Sequence, residues 1–205
     1  MKFDELKNRV SLHRGIFYCV GRGGNEETSK KVDFIHTCEP PEPVGDIPDI
    51  GMLKEFYKTF GNLRLYFDER SGESAFYIAR PDEWGMLSEC FHDWIDDDFN
   101  ENPDMYPYWA NDCIAVGEIP ASGNYILMPL GGEKQGYVYE FEHDGYEFIE
   151  HAANIGEFVA KMLEPDSNIL THMAVHMTFI ENDPQDQWWI KEMSDNYGRV
   201  VRTNS

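Results

Sequence analysis

The chain has 205 residues, of which 41% are hydrophobic and 14% aromatic, and its 17 Lys and Arg against 38 Asp and Glu give a formal net charge of −21. Length and composition predict a single globular domain. Because the sequence contains neither a run of about 18 apolar residues nor the apolar core of a signal peptide, we expect a cytoplasmic protein that does not span a membrane. The acidic excess excludes nucleic acid and anionic membrane surfaces as partners.

The N-terminal segment, residues 1–48, is predicted to be one helix, one strand and an irregular lead-in. Apolar residues spaced as on one helix face predict an amphipathic helix over residues 2–13. An apolar run predicts a strand over 15–20, and the glycine-rich loop after it lacks the Gly-Lys-Ser/Thr ending of a phosphate-binding loop. Four prolines exclude regular structure in residues 38–50.

The predicted main domain, residues 49–164, begins with a helix over 49–60 that uses Asp49 as its N-cap. Two strands over 63–68 and 74–79 are expected to follow as a hairpin. A second helix is predicted to start at Pro81. Its large apolar residues share one face, which is expected to pack on the sheet: Trp84, Leu87, Phe91, Trp94 and Ile95.

An acidic segment, residues 96–104, comes after this helix and is expected to be a solvated loop. The spacing of its first carboxylates resembles a calcium-binding EF-hand loop. Glu101 stands where that loop needs Gly, however, and Pro107 stands where it needs Glu. Residues 81–160 contain 18 acidic residues and a single Lys or Arg, so most of the net charge is concentrated in this part of the chain.

The centre of the domain is residues 114–143, which have the pattern of a β-meander. In the third of its strands, aromatic residues fall on one face and Glu140 falls on the other. We therefore predict an α+β fold in which a mostly antiparallel sheet of about six strands has one buried face covered by helices. The three predicted strands of the meander are 114–116, 125–130 and 137–141.

The C-terminal part is predicted to complete the domain and then extend it. A strand over 145–150 and a helix over 154–163, which opens like a capping box, are expected first. Residues 165–205 are expected to form an extension packed on the same domain. In this extension we predict a β segment over 171–179 and a short helix from Asp183 that carries two tryptophans.

The sequence does not indicate catalysis, a cofactor or a metal. The four cysteines have no Cys-x-x-Cys pair and are expected to be buried free thiols. His172 and His176 lie four residues apart, but Met173 stands where a zinc protease helix needs Glu, so ordinary histidines are expected. Ser122 is not in a Gly-x-Ser-x-Gly motif. We therefore do not expect an enzyme.

Three segments of the central region carry a family resemblance. Residues 53–62, LKEFYKTFGN, form a helix pattern that ends in an Asn/Gly turn. IAVGE at 114–118 is followed by SGNY at 122–125, and GYVYEFEHD stands at 136–144. Together these segments resemble the SUKH superfamily, which includes the fungal cell-wall (glucan) synthesis regulator and many bacterial immunity proteins of polymorphic toxin systems. The resemblance covers about residues 50–163 and implies an α+β fold and protein binding without catalysis.

Charge and resemblance together favour an immunity protein that neutralises a cationic toxin domain, such as a nuclease, through an acidic surface. The alternative is a scaffold, similar to the cell-wall synthesis regulator, that binds several proteins through its C-terminal extension. We expect a basic protein partner, no nucleic acid or membrane, no cofactor, and a monomer or weak homodimer. The expected partner-binding residues are Asp96, Asp97, Asp98, Phe99, Glu101, Asp104, Tyr106, Trp109, Glu140, Glu142 and Asp144.

Overall fold

The computed structural model describes residues 2–22, 28–43, 45–101, 103–180 and 186–204, and the side chains of residues 96–101 and 103 lie outside that description. The described residues form an α+β fold around one antiparallel sheet. Its ten strands are β1 (Gly15–Gly21), β2 (Ser29–Thr37), β3 (Leu63–Phe67), β4 (Phe76–Ile78), β5 (Cys113–Ile119), β6 (Asn124–Pro129), β7 (Val138–Glu142), β8 (Glu147–Ala152), β9 (Trp188–Asp195) and β10 (Val200–Arg202).

The order of the strands is β10-β9-β1-β2-β3-β4-β5-β6-β7-β8. The expected number of about six strands is wrong, because both ends of the chain extend the sheet beyond β3. The N-terminal hairpin of β1 and β2 pairs with β3 through β2, and the C-terminal β9 returns to pair with β1. The predicted hairpin of β3 and β4 and the meander of β5, β6 and β7 are confirmed.

Within the described ranges, five helices and one 3-10 turn, Pro103–Met105, accompany the sheet. On one face the ring of Phe91 lies 5.2 Å from that of Phe141, and on the opposite face Phe158 lies 6.0 Å from Phe76. No helix in the described part of the chain is both long enough and apolar enough to cross a membrane. The helices are α1 (Phe3–Leu12), α2 (Leu53–Tyr57), α3 (Trp84–Glu101), α4 (Ile155–Met162) and α5 (Ser167–His176).

The sheet is buried on both faces at β7, so the expectation of one buried face is wrong there. Successive residues of a strand point to opposite faces, and yet Val138, Tyr139, Glu140 and Phe141 are all buried. Phe141 faces α3, whereas Glu140 points toward α5 and bonds to its His172. A polar residue in the third strand of the meander therefore lies in the interior and not in solvent.

Two predicted elements of the main domain end at different residues from those expected. The predicted helix over 49–60 is limited to α2, because Met52, and not Asp49, precedes it in a left-handed conformation with φ 66°. Conversely, α3 continues through Glu101, whereas a loop was predicted from residue 96. Carboxylates near the C-terminal end of a helix oppose the helix dipole, so local sequence favoured a loop. The buried residues Phe91 and Ile95 fix the preceding turns of α3 on the sheet.

The predicted secondary structure of the C-terminal extension is wrong in both of its elements. Residues 167–176 form helix α5, whose N-cap Asp166 accepts a hydrogen bond from the backbone N–H of Ile169. The two tryptophans lie in strand β9 and not in a helix, and the expected helix start at Asp183 lies outside the described residues. Pairing with β1 places β9 within the sheet, and this long-range contact has no local sequence signal.

The capping residue predicted for α4 is confirmed, and it provides a simple test of the fold. The Asn154 side chain accepts a hydrogen bond of 2.9 Å from the backbone N–H of Glu157. We expect Asn154→Ala to lower the free energy of unfolding by about 1 kcal/mol, because one N–H of the first turn loses its acceptor. Urea denaturation measures this loss, with Asn154→Asp as the control that keeps an acceptor and should remain close to the wild type.

Candidate functional site

The residues expected to bind a partner are divided by the fold between surface and interior. Asp104 and Asp144 are exposed, and Glu142 is half-buried. Tyr106, Trp109 and Glu140 are buried, so their expected role at an exposed surface is wrong. Asp96, Asp97, Asp98, Phe99 and Glu101 lie in the C-terminal part of α3, but their side chains lie outside the described part of the structure.

The two buried aromatic residues of this set belong to the core. The ring of Trp109 lies 4.4 Å from that of Tyr139 and 5.5 Å from that of Phe148. Tyr106 contacts the same Phe148 at 6.1 Å. Sequence proximity to an acidic segment suggested that these rings were exposed, but the chain after α3 folds back against β7 and β8 and buries them.

Other aromatic residues take the exposed positions. Trp94 of α3 is 43% exposed, and Tyr146, in the connection between β7 and β8, is 44% exposed. Trp94 lies beside the same connection, with its ring 5.0 Å from that of His143. We call the region formed by Asp93, Trp94, Glu142, Asp144, Tyr146 and Glu147 the acidic surface. Trp94 was predicted to lie on the helix face that packs on the sheet, and this prediction is wrong for Trp94.

The β7–β8 connection concentrates charge within the acidic surface. Glu142, His143 and Asp144 each place one ligand atom within 4.8 Å of the others and could hold a cation, although exposed groups of this kind are common without one. The side-chain amide oxygen of Asn124 is not available to them, because it accepts hydrogen bonds from the backbone N–H of His143 at 3.2 Å and from its Nδ1 at 3.0 Å. The imidazole Nε2 of His143 therefore faces Asp144 Oδ1, at 3.0 Å.

A buried carboxylate with three donors lies on the other face of β7. Glu140 Oε1 accepts hydrogen bonds from Asn124 Nδ2 at 2.9 Å and from His172 Nε2 at 2.7 Å. Glu140 Oε2 accepts one from His151 Nε2 at 3.0 Å. Burial alone would raise the pKa of Glu140, but the hydrogen bonds from His151 and His172 and that from Asn124 lower it to about 2.

The ionised carboxylate fixes the proton positions on both imidazoles. A carboxylate is only an acceptor, so His151 and His172 must each carry a proton on Nε2 in order to bond to Glu140. In the neutral form their Nδ1 atoms are then acceptors. Neither Nδ1 has a hydrogen-bond partner among the described residues. Both side chains border an open groove of about 310 Å³ between β8, α4 and α5.

A second buried polar cluster connects both ends of the chain. Tyr66 donates its backbone N–H to His36 Nδ1 at 2.9 Å, so His36 carries its proton on Nε2 and donates to His13 Nδ1 at 2.8 Å. His13 Nε2 then donates to Asp195 Oδ2 at 3.2 Å. Burial lowers the pKa of His36 to about 3, and burial also lowers the pKa of His13 despite its bond to Asp195. We call these residues the histidine relay.

The cysteines divide in the same way between interior and surface. All four are free, and Cys19 and Cys113 are buried, as expected. Burial raises the pKa of each of these two thiols to about 12, which makes them poor nucleophiles. Cys90 is exposed, so the expectation of a buried thiol is wrong there. Its position on α3, one residue before the buried Phe91, turns it away from the sheet.

Comparisons with known proteins give no relative for this chain. No family model, no curated protein and no solved structure matches it. The resemblance to the SUKH superfamily is therefore a prediction that these comparisons leave untested, and the candidate site rests on the geometry described above.

Proposed function

We propose that this chain is a non-catalytic, SUKH-type protein-binding domain that acts as an immunity protein and neutralises a cationic toxin domain. The observation that supports this proposal is the exposure of Trp94 and Tyr146 among carboxylates at one end of the sheet. Lys134 is the single Lys or Arg between residues 81 and 160, and it is paired with Glu150 at 2.8 Å. A basic partner would meet few like charges here.

Two physical effects would act together at such a surface. Carboxylates attract a basic protein over a distance of about 10 Å in 0.1 M salt, which raises the association rate more than the affinity. Large exposed aromatic rings supply much of the binding energy at protein interfaces, because they bury a large area at small conformational cost. The acidic surface contains both kinds of group. Its carboxylates would take the place of the phosphates that the basic groove of a nuclease binds.

A pair of point variants tests this surface. We expect Trp94→Ala to weaken binding to the partner at least tenfold, because an exposed anchor ring is removed. Leu12→Ala is the matched control, since Leu12 is exposed on α1 at a distance in sequence from the acidic surface. The partner is captured from cells that make the protein, and its affinity for each variant is measured by calorimetry. Equal losses for both variants, or none for Trp94→Ala, would contradict the proposed surface.

The scaffold alternative has less structural support. Its expected docking element, Trp188 and Trp189, lies half-buried in strand β9. Trp189 is further covered by Arg22, whose guanidinium carbon lies 4.9 Å from the ring centre. Deletion of residues 165–205 would remove α5, β9 and β10 from the fold. A scaffold role is therefore better tested by Trp189→Ala than by truncation.

A further inference from the structure

The groove between β8, α4 and α5 has no role in the surface described so far. Its volume of about 310 Å³ is within the range of small-ligand sites. Its floor is the carboxylate of Glu140, and the side chains of His151 and His172 border it, about 13% and 25% exposed. A buried charge that lies next to an open groove of this size can act on whatever enters it.

With both histidines neutral, the hydrogen-bonding groups at this floor are acceptors. Both imidazoles use their Nε2–H to bond to Glu140, so in the neutral form each ring has only the lone pair of Nδ1 left, which is an acceptor. Asp166 adds a carboxylate to the lining. A group that enters must therefore bring its own donors. An ammonium carries three N–H donors and a guanidinium five, and neither has an acceptor.

The charges and the walls of the groove fit the same kind of group. Glu140, Glu150 and Asp166 are the carboxylates of the lining, and Glu150 is paired with Lys134 at 2.8 Å. Lys161 is the Lys of the lining, so with both histidines neutral the balance is negative even when Lys134 is counted. The ammonium of Lys161 is bonded to the backbone carbonyl of His151 at 3.2 Å. The apolar part of the wall comes from Phe76, Ile149, Met162 and Ile169, and such side chains pack well against the methylene groups of a long basic side chain.

We propose that this groove receives the guanidinium or ammonium group of one Arg or Lys side chain of the cationic partner. This inference rests on the proposed function, since it assigns a contact to the same partner. Ile149 and Glu150 belong to β8, the edge strand of the sheet, and Glu147 of the acidic surface lies on the same strand. A partner bound at this edge can therefore reach both the acidic surface and the groove.

The groove can be tested without the partner, by using agmatine, a small molecule that carries both a guanidinium and an ammonium group. The imidazole nitrogen signals of His151 and His172 are followed by NMR at constant pH while agmatine is added to the whole chain. We expect saturable shifts at both residues with a dissociation constant of about 1 mM or below. Butylurea, which is neutral, and adipate, which is anionic, should leave these signals unchanged.

Two variants make the test specific. His172→Gln keeps an N–H donor for Glu140 but removes the ring acceptor, and we expect at least a fivefold weaker response to agmatine. His92→Gln, on α3 across the sheet, should respond like the wild type. No saturable shift up to about 20 mM agmatine, or equal shifts with butylurea or adipate, would overturn the proposed cation site. That result would leave the Trp94→Ala test of the acidic surface unaffected.

Discussion

Replacing Glu140 by Ala is expected to lower the free energy of unfolding by about 3–5 kcal/mol. The side chain is only 1% exposed, and its carboxylate is the acceptor for Asn124, His151 and His172. The substitution would leave Asn124, which is buried, and the half-buried His151 and His172 without their acceptor, and it would also leave a cavity. Urea denaturation at pH 7 measures the loss.

Glu140→Gln separates the charge of this residue from its volume. The amide keeps the volume and one acceptor oxygen, so its loss of stability should be smaller than that of Glu140→Ala. Hydrogen bonding depresses the folded pKa of Glu140 to about 2. The contribution of Glu140 to the free energy of unfolding is therefore fully present above its unfolded pKa of about 4.3 and declines as the pH falls toward 2.

A change in the free energy of unfolding below about 1 kcal/mol for Glu140→Ala would mean that the cluster does not hold β7, β8 and α5 together.

Lowering the pH from 7 to 5 is expected to reduce stability by roughly 2 kcal/mol through His36 alone. His36 has a folded pKa of about 3, and an unfolded histidine titrates near 6.5. Its stabilisation is therefore fully present above pH 6.5 and is lost as the pH falls toward 3, because the unfolded chain takes up a proton that the folded chain excludes. The size of the loss at pH 5 depends little on the folded value.

The surroundings of the histidine relay explain why it stays neutral. Asp195 is the carboxylate bonded to His13, and its other oxygen accepts the backbone N–H groups of Tyr197 and Arg199. Arg9 and Arg199 oppose a charge on His13 and so lower its pKa. The pKa of His13 is lowered, and burial and His172 lower the pKa of His176. Both residues therefore add to the loss of stability as the pH falls from 7 to 5.

The control for this prediction removes the titrating ring. His36→Gln should reduce the dependence of stability on pH between 7 and 5, and His92→Gln should not change it. Because His36→Gln could also unfold the protein, NMR titration of the wild-type imidazoles gives an independent measurement, in which His36 should keep its neutral signals at pH 5. Stability that stays constant from pH 7 to 5, with His36 protonated at pH 5, would contradict the relay.

Local sequence patterns predicted the elements that depend on neighbouring residues. The apolar stripe of α1, with Leu6 and Val10 buried, and the cap of α4 at Asn154 follow from helical spacing. The hairpin of β3 and β4 follows from two β-type runs with a turn between them. The β segment predicted over 171–179 was wrong, because β-branched residues near Thr171 favoured a strand, although Asp166, after Pro165, offered a cap signal for α5.

The polar clusters depend on long-range pairing and could not be predicted from spacing. His13, His36 and Asp195 come together because α1, β2 and β9 meet at one end of the sheet. The alternation on β7 did place Glu140 opposite the aromatic face. The sequence gives no sign, however, that α5 covers this second face with His172. For the same reason Trp94 was assigned to the core and Trp109 to the surface.

The association rate with the captured basic partner, measured at salt concentrations from about 50 mM to about 500 mM, tests the proposed acidic surface most directly. We expect the rate to fall at least tenfold over this range while the dissociation rate changes little, since screening weakens the attraction of the carboxylates. An association rate that is unchanged by salt would contradict electrostatic steering by the acidic surface.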